Sequence, residues 1–248
     1  MRLVVEVGTF CADYQDRVFR NLNCERMQVD ECWSFVFAKE KNVTEEIAAN
    51  NPGAGDAWLW AAIDVETKLV PCWLIGKRGP NTARDFIEDL ASRLSNRIQL
   101  TSDGPKIYIK AVDKAFGEDI DYAQLVKVYG IDPEGEKRYS PAVCLTCERH
   151  AITGDPDPKH INASYIERHN LSVRMTARRF TRLTNALSKK LEHHVASVAL
   201  TYFAYNFVKV HRTLRMSPAM AAGIAPRLWD VSDLVAEWEA WERTEQAA

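Results

Sequence analysis

Asp30, Asp103 and Glu167 are the residues of this 248-residue chain whose types and settings point to chemistry. Asp30 falls inside an apolar run, Val29-Asp30-Glu31-Cys32-Trp33, where an ionised acid needs a partner because unpaired burial is costly. Asp103 closes Thr101-Ser102-Asp103-Gly104 directly after a short strand, and strand ends are where ligands and metals commonly sit in α/β folds. Glu167 opens a helix, and the stretch that follows it, 168–190, holds seven Lys or Arg and no acid. Carboxylate oxygens suit hard divalent cations, and a pair of such ions needs several carboxylates from different elements. Here a strand, a strand end and a helix each supply one, beside a basic stretch suited to phosphates. Each acid also has a plainer reading. Asp30 could serve a strand-edge salt bridge, Asp103-Gly104-Pro105 is a turn sequence, and Ser164-Tyr165-Ile166-Glu167 fits a capping box.

The apolar pattern places these acids on particular elements. The first twenty residues read as helical or transitional. A strand is expected over 26–37, then a hairpin over 57–65 and 68–77 that turns at Val65-Glu66-Thr67. The run from Trp58 to Ile63 is apolar on both faces, as in the middle of a covered sheet. Asn81 is expected to cap a helix that carries Ala83, Phe86, Ile87, Leu90, Ala91 and Leu94 at helical spacing. A strand over 97–102, a helix over 105–116 and a strand over 120–129 follow. The segment 130–162 contains four prolines and reads as an excursion with little regular structure. Helices are expected over 164–187 and 189–210. Ser217-Pro218 forms a cap, Gly223 a stop, and an acidic helix begins near Asp230. Three strands, helix, strand, helix, strand and then helices predict a mixed α/β fold.

Composition narrows the function classes. Hydrophobic residues make up 46% and charged residues 27%, which suffices for a sizeable core. The net charge is −2, but its distribution is bipolar. Residues 168–215 hold ten Lys or Arg against one acid, and 230–248 hold six acids against one base. The basic block is the candidate polyanion surface. Six scattered cysteines do not make a disulfide scaffold, and reduced thiols in a cytoplasm are the expectation. The start has no signal-peptide pattern, and no apolar stretch is long enough to span a bilayer. Cys144-x2-Cys147 with His150 has the look of half a zinc site, against loop thiols as the plain alternative. His193 and His194 are adjacent on a helix and point about 100° apart, so they cannot chelate together. Trp58, Trp60 and Trp73 are expected in the core rather than stacked on bases, and Trp238 and Trp241 on a packing face. P-loop, dinucleotide, zincin and nucleophile-elbow motifs are all missing from the sequence.

The three acidic motifs together carry a resemblance. Met27-Gln28-Val29-Asp30-Glu31-Cys32-Trp33-Ser34-Phe35, Thr101-Ser102-Asp103-Gly104 and Ile166-Glu167-Arg168-His169-Asn170-Leu171-Ser172-Val173-Arg174 resemble the catalytic domain of insertion-sequence transposases of the IS1 family. The later Tyr205-Asn206, His211-Arg212 and Ser217-Pro218-Ala219 are similar to the tail that follows the glutamate in transposases of the acidic-triad class. The resemblance implies an RNase H-like mixed sheet flanked by helices, with a helical C-terminal extension. It implies a triad of Asp30, Asp103 and Glu167 that binds two Mg²⁺ or Mn²⁺ ions. It implies that Arg174 assists DNA binding, and the helix face and basic stretch around it add Arg168, Asn170, Arg178, Arg179 and Arg182 to the expected DNA-binding set. Arg174 stands seven residues after Glu167, two helical turns on and so on the same face. The activity implied is metal-dependent DNA cleavage and strand transfer. Its partners would be double-stranded DNA, as element ends and as target, and further copies of the chain on DNA, without a membrane. The setting would be cytoplasmic and nucleoid-associated. Residues 1–25 would be the remnant of an N-terminal DNA-binding segment or a lead-in helix, 26–215 the catalytic domain and 216–248 the extension. Relatives usually carry an end-recognising module before the first strand, and this chain begins too close to Asp30 to hold one. The alternatives are a non-catalytic or truncated DNA-binding fragment, or an RNase H-like nuclease without strand transfer.

Overall fold

The computed structural model describes residues 2–130, 143–181 and 185–245. The elements run α1 (Arg2–Val18), β1 (Arg26–Val36), α2 (Glu45–Asn50), β2 (Gly55–Asp64), β3 (Cys72–Gly76), α3 (Pro80–Arg93), β4 (Gln99–Asp103), α4 (Ile107–Phe116), β5 (Asp121–Gly130) and β6 (Val143–Thr153). Helices then follow: α5 (Ser164–Thr176), α6 (Leu191–Phe203), α7 (Pro218–Ala221) and α8 (Val231–Glu245).

Six strands form one sheet in the order β3-β2-β1-β4-β5-β6. β1, β2 and β3 are antiparallel neighbours, β4 and β5 run parallel to β1, and β6 returns antiparallel to β5. A three-strand antiparallel meander continued by two parallel strands on its other side is the RNase H-like arrangement. The parallel strands need helical crossovers, which α3 and α4 supply.

Alternation along the strands sends side chains to two apolar layers. Met27, Val29, Trp60 and Ala62 join Phe86, Leu90, Tyr108 and Val112 of α3 and α4 in one layer. Cys32, Leu59, Ala61 and Ile63 join Ile166, Val173, Val198 and Tyr202 of α5 and α6 in the other. Burying each large apolar side chain contributes about 1.5–3 kcal/mol. α1 lies across α6, and Phe10 and Cys11 are fully buried there. The crossing is tight: a Cβ on Gly8 would stand 2.6 Å from the Ala196 Cβ, so a side chain at position 8 would push the helices apart. α8 covers α1 with Trp238 and Trp241, and the Trp241 indole donates to Asp13 Oδ2 at 3.1 Å.

Four expectations are corrected. The excursion over 130–162 contains β6, because its prolines lie at 133, 141, 156 and 158 and leave 143–153 free to pair. The helix expected over 164–187 ends at Thr176. Ala177 is extended there and a 3-10 turn, Arg178–Phe180, folds Phe180 under the chain against the His194 ring, 5.2 Å away. The helix expected over 189–210 gives way after Phe203 to a π turn, Ala204–Val208. That turn aims buried Asn206 at Val70, where it receives the backbone N–H at 3.1 Å and donates to the carbonyl at 3.0 Å. The N-cap of α3 is Gly79 rather than Asn81, with Pro80 as its first residue. Among the described residues no helix is long and apolar enough to cross a membrane.

Candidate active site

The sheet topology makes an open corner beside β1. β1 pairs with β4 only from Arg26 to Val29, because β4 ends at Asp103 while β1 runs on to Val36. Asp30 and Glu31 therefore lie just past the last β4 pairing, next to the carboxyl end of β4. In open α/β sheets that end of a strand is where ligands collect. One carboxylate oxygen from each of Asp30, Glu31 and Asp103 lies within 4.8 Å of the others, the sole such grouping among the described residues.

The corner is electrostatically unbalanced. Burial pushes Asp103 up to about 7, with the charges of Asp30 and Glu31 adding to the effect. Glu31 is likewise raised to about 7 by burial and then by Asp30. Asp30 is raised by burial and by Glu167, and lowered by its hydrogen bond from Asn170. Arg78 is the cation that opposes these shifts. It stacks on Trp58 at 4.8 Å and reaches Glu31 Oε2 at only 3.5 Å. Glu31 Oε1 and Asp103 Oδ1 are buried without a hydrogen-bond partner. Tyr108 is fully buried with its hydroxyl toward Glu31, an interaction that opposes the rise of Glu31, but the two make no close hydrogen bond.

Glu167 approaches from α5, and β1 fixes that helix. The Gln28 side chain accepts the backbone N–H groups of Tyr165 at 2.9 Å and Ile166 at 3.1 Å, satisfying donors that a helix start leaves free. Two residues along the same face of β1, Asp30 Oδ2 receives the Asn170 amide at 2.9 Å. Gln28 and Asp30 thus bracket Glu167 between them. The capping-box reading of Glu167 is not what forms. Ala163 is the N-cap without a side-chain bond, Asn162 receives Ser164, and the Glu167 carboxylate pairs with Lys127 of β5. Glu167 stays within electrostatic reach of Asp30 and Asp103 but outside their 4.8 Å grouping.

The basic set is spread along and beyond α5. Arg168 and Arg178 are exposed, and Arg174 is half-buried with its Nε unpartnered. Asn170 is 5% exposed and engaged with Asp30 rather than facing solvent. Arg179 donates to Ser188 Oγ at 2.6 Å and lines a groove of about 700 Å³ with Arg178, Lys189, Lys190 and His193. Arg182 lies outside the described residues. Among the described residues none of Arg168, Arg174, Arg178 and Arg179 takes part in an ion pair. Cations outside ion pairs suit a polyanion.

Sequence reasoning did not single out Glu31, Arg78 or Lys127. Alternation along the strand assigns Glu31 to the face opposite Asp30, which hides it. The signal available was a second acid in an apolar strand. The zinc reading of Cys144, Cys147 and His150 also meets the geometry. The two Sγ atoms lie 3.7 Å apart on β6, while His150 faces Glu148 at 3.2 Å. Those three do not form a ligand group among the described residues.

No protein-family model matches the chain, and no curated protein matches it. It is similar to a chain in the solved structure of the simian T-cell lymphotropic virus intasome in complex with PP2A regulatory subunit B56 gamma. The identity is 15% and the TM-score 0.46, over 85% of this chain. The match spans 58% of the length of that chain.

Proposed function

We propose that the chain is an RNase H-like polynucleotidyl transferase, a DNA transposase like those of the IS1 family. The observation that carries this reading is the convergence of Asp30 and Asp103 at the carboxyl end of β4, with Glu167 presented by a helix that β1 holds in place. The donor set is all carboxylate, with buried oxygens left unpartnered, and this fits hard divalent cations. Two such ions would activate the attacking oxygen and stabilise the leaving one in an in-line displacement at phosphorus.

The chain's own groups supply the rest. Asp30, Asp103 and Glu167 hold the cations, and Asn170 keeps the Asp30 carboxylate oriented. Lys127 pairs with Glu167 and keeps it beside the corner, where it would join in holding the cations. Arg168, Arg174 and Arg178 provide phosphate contacts, which position DNA without reading its sequence. Burial of Asp30 and Asp103 limits water at the corner and strengthens the charge interactions there.

The test is a cleavage and strand-transfer assay with Mg²⁺ or Mn²⁺ on DNA bearing the ends of the element. Cleavage and joining of a 3′ end to target DNA are expected. Cleavage without joining would leave an RNase H-like nuclease, and metal-independent binding without cleavage a DNA-binding fragment.

A further inference from the structure

Glu31 has no place in a triad of Asp30, Asp103 and Glu167, yet it is the least solvent-exposed of the four acids at the corner. Its side chain is 1% exposed, and its Oε1 has no hydrogen-bond partner. Strand alternation explains why it stands apart. Gln28, Asp30 and Ser34 point to the α5–α6 side, where they meet Tyr165, Asn170 and His194. Met27 and Val29 point to the α3–α4 side, and Glu31 shares their parity. Its carboxylate nevertheless joins Asp30 and Asp103 within 4.8 Å, because the β4 edge ends there and the two faces of β1 meet past it.

A buried carboxylate kept only for an ion pair would take a close, bidentate guanidinium. Glu31 meets a cation only through a 3.5 Å contact with Arg78, whose side chain is 43% exposed and stacked on Trp58, and its other polar neighbour is the neutral Tyr108 hydroxyl. Charge points the same way. With all four ionised, Asp30, Glu31, Asp103 and Glu167 face Arg78 and Lys127 among the described residues and leave two negative charges; burial and mutual repulsion raise Glu31 and Asp103, which a divalent cation would reverse.

We propose that Glu31 is itself a ligand: Asp30, Glu31 and Asp103 form the preformed seat of the first divalent cation, and Glu167 joins with the second. This rests on reading the corner as a Mg²⁺ or Mn²⁺ site, and it assigns a donor from the opposite face of β1.

The test is Mn²⁺ binding to the full chain without DNA, followed by electron paramagnetic resonance of the free ion, for wild type, Glu31→Gln and Glu167→Gln. Melting temperatures are measured in parallel with and without Mn²⁺. Glu31→Gln is expected to fold and to lose more than about tenfold in affinity for the tightest Mn²⁺. Glu167→Gln is expected to keep that ion and lose the weaker one. Wild-type affinity in Glu31→Gln would overturn the proposal and leave Glu31 as a partner for Arg78. Should the amide variant fail to fold, Glu31→Asp keeps the charge and shortens the reach. Intermediate affinity then supports the proposal, and unchanged affinity overturns it. No Mn²⁺ binding by wild type would overturn both this proposal and the metal-site reading. Glu31-dependent binding without DNA cleavage would sustain the ligand assignment while removing the transposase.

Discussion

β1 carries two buried polar clusters that are built in opposite ways. Toward its end, Ser34 donates to the Ala57 carbonyl at 2.7 Å and meets His194 Nε2 at 3.0 Å, while Ser188 meets the other ring nitrogen at 3.0 Å and receives Arg179. Both hydroxyls and both ring nitrogens there have partners, and His194 is held neutral by burial, lowered to about 4. Four residues earlier, the corner of Asp30, Glu31 and Asp103 concentrates like charges and leaves carboxylate oxygens unpartnered. Both clusters are buried on the same strand, so burial alone does not separate them. Satisfaction does. Buried polar atoms are as a rule paired, with single exceptions here such as Trp60 Nε1 and Trp238 Nε1, whereas carboxylate oxygens left open together beside a strand end are poised for a ligand.

The largest expected effect comes from removing charge at the corner. Asp30→Asn, Asp103→Asn and Glu167→Gln should each lower metal-dependent cleavage by about 10³-fold or more, since several kcal/mol of transition-state stabilisation is at stake. Circular dichroism and DNA affinity should stay near wild type. Full cleavage by Asp103→Asn would dissolve the contrast between the clusters.

Breaking the satisfied cluster should do the reverse. His194→Leu leaves Ser34 and Ser188 without their ring partner and should destabilise by about 1–3 kcal/mol, read as a lower denaturation midpoint. Mn²⁺ affinity should not change.

The two clusters should also titrate with opposite sign. The folded pKa of Asp103 is about 7, above its unfolded value, so its burial penalty is absent at low pH and complete above about 7. Metal-free Asp103→Asn should therefore melt above wild type at pH 8, and the gap should close as pH falls toward 4. A gap that widens in acid would contradict this sign. His194, depressed to about 4, contributes stability that is present above its unfolded pKa of 6.5 and lost as pH falls toward 4. The gap between wild type and His194→Leu should therefore shrink in acid.

The smallest effect belongs to the basic flank. Arg168→Ala or Arg178→Ala should weaken DNA binding modestly and reduce its salt slope by about one unit per lost phosphate contact. An unchanged slope in both would place the DNA elsewhere.

Much of this contrast was legible in the sequence, and the illegible parts have physical causes. Apart from the short helix α2, which forms in what reads as a polar loop, the element order through β5 follows from apolar periodicity, as do the positions of Asp30 in a strand and Asp103 at a strand end. β6 was hidden by prolines at its flanks, which read as a loop although they only border the strand. The end of α5 was hidden because the basic stretch carries good helix formers past Thr176, while the turn that follows buries Phe180. Glu31 was hidden by strand parity, which holds along a paired strand and fails where the neighbouring strand stops. Asn170 read as a DNA contact from its helical phase with Glu167. That same phase turns it inward onto Asp30, and burial decides between the two.

The central claim is that the unsatisfied corner seats divalent cations. A crystal of the chain grown with Mn²⁺ and measured at the manganese edge tests it most directly. The account predicts an anomalous peak among Asp30, Glu31 and Asp103, with oxygens within about 2.3 Å of the ion. An ordered, empty corner with the carboxylates re-paired to Arg78, in a crystal that holds Mn²⁺ elsewhere, would contradict it.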